Sequence, residues 1–346
     1  MNNKLKKPLL AVATQGELAD FIAKHGQPAF RTKQLINWIS ERRILNPAQM
    51  KNIPQALKTA LADDFCCCSS EIEHIDMAGD ATEKLLIKLR DGNYIEMVII
   101  SAPERKTFCL STQVGCPVQC YFCASGTDGL IRNLEAGEML EQLYHGCERI
   151  GALPDNIVFM GIGEGLLNFD NLALTLKFMC DKERLNISPR RITVSTSGYI
   201  PGITKLAKLD LPLNLAVSLH APNDIIRAKL IPEKLRFPVT EIVTACQAYR
   251  ETTGRMITFE YTLIAGINDA ITTAKELAVI AKKNRIKINL IPYNPVPDSK
   301  FKRPTNAILK QFEAILLERG IQVTMRLEKG SAVNAACGQL RASNKG

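Results

Sequence analysis

No apolar run in this 346-residue chain approaches the ~20 residues needed to span a bilayer; runs such as Ile157–Met160 end at a glycine-rich turn. The N-terminal stretch MNNKLKKPLLAVATQ lacks a signal-length apolar core and is followed by an acidic residue, Glu17, so neither export nor membrane insertion is expected. Short-period repeats and low-complexity segments are absent. Paired cysteines are lacking too: there are eleven, an odd number in a long chain, which argues against a secreted disulfide framework. In a reducing cytoplasm, clustered cysteines point instead to metal binding or catalysis. With 46% hydrophobic and 23% charged residues the composition is ordinary for a globular protein, and the length suits two domains or one barrel with an appendage.

The formal charge of +9 is unevenly spread. Residues 1–100 carry 13 basic and 12 acidic side chains, residues 101–200 carry 9 and 11, and residues 201–346 carry 22 and 12. A surplus confined to one region points to a polyanionic partner such as nucleic acid; a solubilising surface is the alternative.

The chain divides near residue 100. Helical apolar spacing marks Gly16–Ala23, Phe30–Arg42 and Ala48–Leu61, and Glu83–Ile100 reads as a hairpin around an Asp91-Gly92 turn. Residues 1–100 are taken as an accessory domain and residues 101–346 as the main one. In the latter, strands are expected at Thr107–Ser111, Asn156–Met160, Arg191–Ser195, Leu213–Ser218, Thr258–Ile264, Ile286–Pro292 and Gln322–Arg326. Helices are expected between them at Ala136–Ile150, Asn171–Asp181, Ile200–Ala207, Val239–Thr252, Ala270–Lys283 and Asn306–Arg319. This alternation, with no glycine-rich dinucleotide turn after the first strand, predicts an α/β fold: a partial (β/α)6 barrel with its chemistry at the C-terminal ends of the strands.

Directly after the first barrel strand comes STQVGCPVQCYFCASG. Cys116, Cys120 and Cys123 are spaced C-x3-C-x2-C, and no fourth cysteine lies nearby in the loop. Three thiolates leave one iron of a 4Fe-4S cube open, the arrangement needed to chelate the amino and carboxylate groups of S-adenosylmethionine. A zinc site completed by a distant histidine is the alternative.

On these residues the sequence resembles the radical S-adenosylmethionine enzymes, and among them the RlmN/Cfr RNA methyltransferases. The resemblance is carried by GQPAFRTKQLINWI (26–39), TFCLSTQVGC (107–116), NIVFMGIGE (156–164) and RRITVSTSGYIP (190–201). It continues through LAVSLHAPND (215–224), FEYTLIAGIND (259–269), IPYNP (291–295) and AACGQL (335–340). The cluster motif alone specifies only the superfamily; its combination with the later motifs is far more specific. The resemblance implies that Gly163 and Glu164 meet the amino group of S-adenosylmethionine. Ser195, Ser218, Leu219, His220 and Asn294 match the contacts to its ribose, adenine and carboxylate. Read without the resemblance, such a Ser or Asn is a cap or turn residue and His220 a satisfied polar group.

The same resemblance assigns catalysis to Cys337, Cys109 and Glu96. Two molecules of S-adenosylmethionine are used per turnover. The first methylates the Cys337 thiolate; reductive cleavage of the second yields a radical that takes a hydrogen from that S-methyl group. The carbon radical adds to adenine, an electron and the ring proton leave (the proton to Glu96), and Cys109 displaces Cys337 through a transient disulfide. The implied substrate is carbon 2 of an adenine in 23S rRNA, with tRNA as a second candidate. The electron comes from an external one-electron reductant such as a flavodoxin or ferredoxin, and residues 1–100 contact RNA. Methylation of carbon 8, as in Cfr, and a non-catalytic iron–sulfur RNA-binding or redox-sensing protein are the rival readings. Glu96, read by itself, is a solvent-facing strand residue.

Two positions depart from the family pattern: Gly165 replaces the usual proline after Glu164, and the run Gly330-Ser331-Ala332-Val333-Asn334 lacks the usual acidic residues. Cys66-Cys67-Cys68 reads as packing or surface cysteines, and Cys147, Cys180 and Cys246 as inert buried ones. The basic run Lys282, Lys283, Arg285 and Lys287 is either a phosphate contact or a solvated helix end.

Overall fold

The structure, a computed structural model, describes residues 7–296, 299–326, 330 and 333–341. Residues 1–6 of the N-terminal stretch, and Ser331 and Ala332 of the departing run, lie outside the described residues.

The first helix, α1 (Gln15–Lys24), starts at Thr14, whose hydroxyl accepts from the Glu17 amide while the Glu17 carboxylate accepts from the Thr14 amide. Helix α2 (Phe30–Ile36) runs on through a π-turn, Asn37–Glu41. The expected helix over Ala48–Leu61 is instead a short 3-10 turn, Pro47–Gln49, and α3 (Gln55–Asp64). Pro54 separates them, since it lacks an N–H and disfavours a helical residue before it.

Three antiparallel strands follow: β1 (Ser70–Met77), β2 (Glu83–Leu89) and β3 (Tyr94–Ala102). The expected hairpin is β2–β3. Strand β1, not expected from the sequence, is an edge strand carrying Glu71, Glu73 and Asp76, and its alternation breaks at a register shift between Ile72 and His74.

The main alternation begins at β4 (Arg105–Cys109). The small hairpin β5 (Gln113–Gly115) and β6 (Leu130–Asn133) frames the cysteine loop. Then come α4 (Ala136–Ile150), β7 (Asn156–Phe159), α5 (Phe169–Cys180), β8 (Ile192–Thr196), α6 (Ile200–Ala207) and β9 (Asn214–Ser218). A one-turn helix α7 (Asp224–Arg227) precedes α8 (Val239–Thr253), β10 (Ile257–Leu263), α9 (Ile271–Asn284), β11 (Lys287–Pro292), α10 (Asn306–Glu318) and β12 (Val323–Met325).

Among the described residues these strands form one open ten-stranded sheet, ordered β1-β2-β3-β4-β7-β8-β9-β10-β11-β12. From β4 onward every neighbour is parallel, giving six βα units and a last strand, the partial barrel expected. Ile157, Phe159, Val194, Val217, Phe259 and Leu290 are buried on these strands, as expected of parallel strands covered by helices. Helix α4 packs closely on β4: a Cβ at Gly146 would lie 2.4 Å from the Phe108 ring.

Candidate active site

A cavity of about 180 Å³ opens at the C-terminal ends of the parallel strands. Cys116, Cys120 and Cys123 line it from the β5–β6 loop, Cys109 from β4, Gly163 and Glu164 from the turn after β7, Ser195 from β8, and Ser218 and His220 from the end of β9. Cys337 enters from the far end of the chain.

The cysteine loop is braced by protein contacts. Cys116 N–H donates to Gly129 O at 2.8 Å, and Val118 and Phe122 pack against Leu230, Ile231 and Tyr293. Burial pushes the Cys116 thiol up to about 12 and those of Cys120 and Cys123 upward as well, reinforced for Cys120 by its neighbouring thiols. Thiolates here require a cationic partner, which iron supplies. Among the described residues no group of three or more His, Cys, Asp or Glu converges to hold a single metal ion. The three thiols line one cavity, and in a 4Fe-4S cube each thiolate meets a different iron.

Gly163 sits at φ +109°, and a Cβ there would meet Gln113 Cβ at 2.7 Å and Thr112 Oγ1 at 2.8 Å, so this turn requires glycine. Glu164 is buried; its Oε2 accepts from Ser197 N–H at 2.6 Å and its Oε1 from Leu166 N–H at 3.2 Å. Gly165 opens a 3-10 turn and leaves this arrangement intact. Burial raises the Glu164 carboxyl. His220 has φ +56°, its Nδ1 accepts from Thr262 N–H at 3.0 Å, and its ring stands edge-on to Phe122. Burial, with Arg227 nearby, brings it down to about 3, so it is neutral. The buried Ser197 hydroxyl and Glu260 Oε2 have no protein partner and line the same cavity, a polar surface that a polar ligand satisfies.

Two of the implied cofactor contacts are placed differently. The Leu219 side chain belongs to the hydrophobic core and its backbone is engaged within the protein, its N–H donating to Val217 O and Glu260 O and its O accepting from Arg227 Nε. Asn294 donates through Nδ2 to Cys337 O at 3.2 Å, tying it to the C-terminal loop.

That loop is strapped over the cysteine loop. Ala124 N–H donates to Gly338 O at 2.8 Å, Ser125 Oγ to Leu340 O at 2.6 Å, and Arg341 pairs with Asp128 at 3.0 Å. Cys337 is exposed and Cys109 buried, both as free thiols, and both face Arg326, whose Nη1 lies 3.4 Å from Cys337 Sγ. Burial, and then the neighbouring Cys337, pushes the Cys109 thiol up to about 12, while Arg326 opposes this.

Glu96 faces an adjoining cleft of about 930 Å³ that also reaches Cys123, Tyr121 and Arg341. It is not solvent-facing. Its Oε1 pairs with Lys84 Nζ at 3.0 Å, its Oε2 is buried without a partner, and burial raises its carboxyl.

The remaining candidates fall outside the cavity. The sulfurs of Cys66, Cys67 and Cys68 address separate carbonyls, those of Cys68, Leu61 and Ser70. Cys147 and Cys246 are buried, whereas Cys180 is only half-buried. Lys282, Lys283, Arg285 and Lys287 sit where α9 ends and β11 begins, opposite the strand ends that carry the cysteines. Sequence reasoning missed Arg227, Glu260 and Arg326. A glutamate inside the apolar strand ITFEYTL was a readable signal for Glu260, because charged residues are rarely buried without a role. The other two become visible only once burial is known.

Comparison with known proteins agrees with this geometry. Residues 110–277 match the radical SAM superfamily, and residues 9–67 match the ribosomal RNA large subunit methyltransferase N-terminal domain. A relative in Akkermansia muciniphila, named a probable dual-specificity RNA methyltransferase RlmN, is 42% identical over 96% of this chain and 95% of its own. A similarly named protein of Clostridium perfringens is 41% identical over 95% of each. The crystal structure of a radical SAM methyltransferase from Sphaerobacter thermophilus superposes with a TM-score of 0.93 at 40% identity, covering 97% of this chain and 100% of that one. With likeness of this depth over both parts of the chain, it belongs to the RlmN family of radical S-adenosylmethionine RNA methyltransferases.

Proposed function

We propose that the protein methylates carbon 2 of an adenine in 23S rRNA, and of a tRNA adenine as a second substrate, through an S-methyl group carried on Cys337. The observation supporting this most is the meeting of Cys109 and Cys337, 228 positions apart in sequence, at one guanidinium beside the three-cysteine loop. The relatives named dual-specificity RNA methyltransferases support the choice of substrates.

Cys116, Cys120 and Cys123 would hold a 4Fe-4S cluster, and the orphaned polar atoms and glycine turn of the cavity suit S-adenosylmethionine. When bound, these groups supply a methyl donor and a carbon radical. The protein's part is positional. Arg326 holds the Cys337 sulfur in place, its Nη1 3.4 Å away. Glu164, Ser195, Ser218 and His220 line the cofactor's place. Asn294 acts one step removed, holding the Cys337 loop. Glu96, buried with one free oxygen, receives the ring proton; a raised carboxyl is the stronger base once ionised. Cys109 waits beside Arg326: its sulfur bonds to that of Cys337 as the Cys337 sulfur–carbon bond breaks, releasing the methylated RNA and leaving a transient disulfide that an external reductant returns to two thiols.

An external one-electron reductant, a flavodoxin or ferredoxin, delivers the electron. Residues 1–100 form the RNA-contacting part, although β1–β3 share the barrel's sheet. Mass spectrometry of nucleosides from rRNA and tRNA, with and without the protein, tests the reading. It predicts 2-methyladenosine that depends on the protein; 8-methyladenosine would move the activity to carbon 8, and no methylated adenine would refute it.

A further inference from the structure

Arg227 is fully buried at the end of α7. Its Nε donates to Leu219 O at 3.2 Å, its Nη1 to Phe237 O at 3.3 Å, and its Nη2 to Ser197 O. All three acceptors are carbonyls, which orient the guanidinium but do not neutralise it. Among the described residues no carboxylate pairs with it at salt-bridge distance; Asp224 acts on it only through space. A buried cation left in that state is unfavourable unless an anion completes it.

The position of the guanidinium indicates which anion. Its three acceptors come from the loops after β8 and β9 and from the approach to α8. Leu230 and Ile231, just beyond it in the chain, pack with Val118, Phe122 and the three loop cysteines. Tyr121, between two of those cysteines, donates its N–H to Leu230 O at 3.0 Å. Burial draws Arg227 down to about 10, and Cys120 is foremost among the groups that keep it charged.

We propose that Arg227 is the built-in counter-ion of the iron–sulfur cluster and raises its reduction potential. This rests on the reading of Cys116, Cys120 and Cys123 as cluster ligands. A cube held by three thiolates is net negative, and reduction adds one further negative charge. A fixed cation in the low-dielectric wall stabilises the reduced state more than the oxidised one. One electron passes from the external reductant to the cluster and no proton moves, since the guanidinium stays protonated throughout. The protein thereby eases the electron transfer on which radical formation depends.

The test uses the full-length chain, reconstituted without oxygen and titrated with dithionite while the reduced cluster is followed by electron paramagnetic resonance. Arg227→Gln keeps donors for the carbonyls but loses the charge, whereas Arg227→Lys keeps the charge. The proposal expects the Gln variant to disfavour reduction about tenfold, a fall of about 59 mV for one electron, and the Lys variant to stay within about threefold of the parent. An unchanged midpoint in the Gln variant, or an equal fall in both, overturns it. Should Arg227→Gln fail to fold, Asp224→Asn carries the test. Removing that exposed carboxylate leaves the guanidinium less screened and must raise the midpoint, and no rise overturns the proposal. A parent protein that assembles no cube overturns both this proposal and the reading beneath it.

Discussion

Two sulfurs distant in sequence meet at Arg326: Cys337, 3.4 Å from its Nη1, is exposed, whereas Cys109 is buried, and burial favours its thiol while Arg326 opposes this. The two sulfurs are therefore expected to separate cleanly by mutation. Cys337→Ala should abolish methyl transfer while leaving iron and sulfide content and the visible spectrum of the cluster unchanged. Loss of the cluster would contradict the assignment. Cys109→Ala should stall with RNA covalently attached to the protein, seen as a nuclease-sensitive shift on a denaturing gel; methylated RNA released at the normal rate would remove Cys109 from the mechanism. Glu96→Gln should lower RNA methylation by about 100-fold or more, while Cys337 still becomes methylated, as expected for a base that acts after the carbon adds. Cys109, Cys337 and Glu96 are singled out by the family resemblance. Arg227 and Arg326 are not, because an arginine's sequence neighbours do not reveal that its guanidinium is buried.

At the scale of elements, the parallel strands were readable almost to the residue, since their apolar runs are bounded by turns on both sides. Helices Ala136–Ile150 and Ile200–Ala207 fell where their spacing placed them. Strand β1 escaped because an edge strand can carry charge along its length, and the helix expected over Ala48–Leu61 missed the break at Pro54. The tight seating of α4 on β4 gives a prediction in which two effects compete. Gly146→Ala improves helix propensity by about 1 kcal/mol, yet the added methyl meets Phe108 in a closely packed interior, where overpacking costs about 1–3 kcal/mol. Overpacking should win, so the cluster-loaded variant should melt below the parent; a higher midpoint would show that Phe108 yields.

For the whole molecule, the surplus of basic residues over 201–346 is a mixture that its sum conceals. Arg227 is buried, Arg326 lines the catalytic cavity, Arg341 is paired with Asp128, and the run from Lys282 to Lys287 lies at the opposite end of the barrel. An RNA substrate still meets a chain of net charge +9, so raising salt from about 50 to 200 mM should weaken RNA binding at least about tenfold, measured by filter binding. Salt-independent affinity would assign recognition to shape alone. If the transferred carbon rests on Cys337 as S-methyl, it must lose one hydrogen before reaching adenine. Anaerobic turnover with a donor bearing a trideuterated methyl group, followed by mass spectrometry of the nucleoside product, counts that loss. The expected product is 2-methyladenosine with two deuteriums, the third removed as the radical forms and replaced by a proton. A product that keeps all three deuteriums, the mark of direct displacement onto the base, would contradict it.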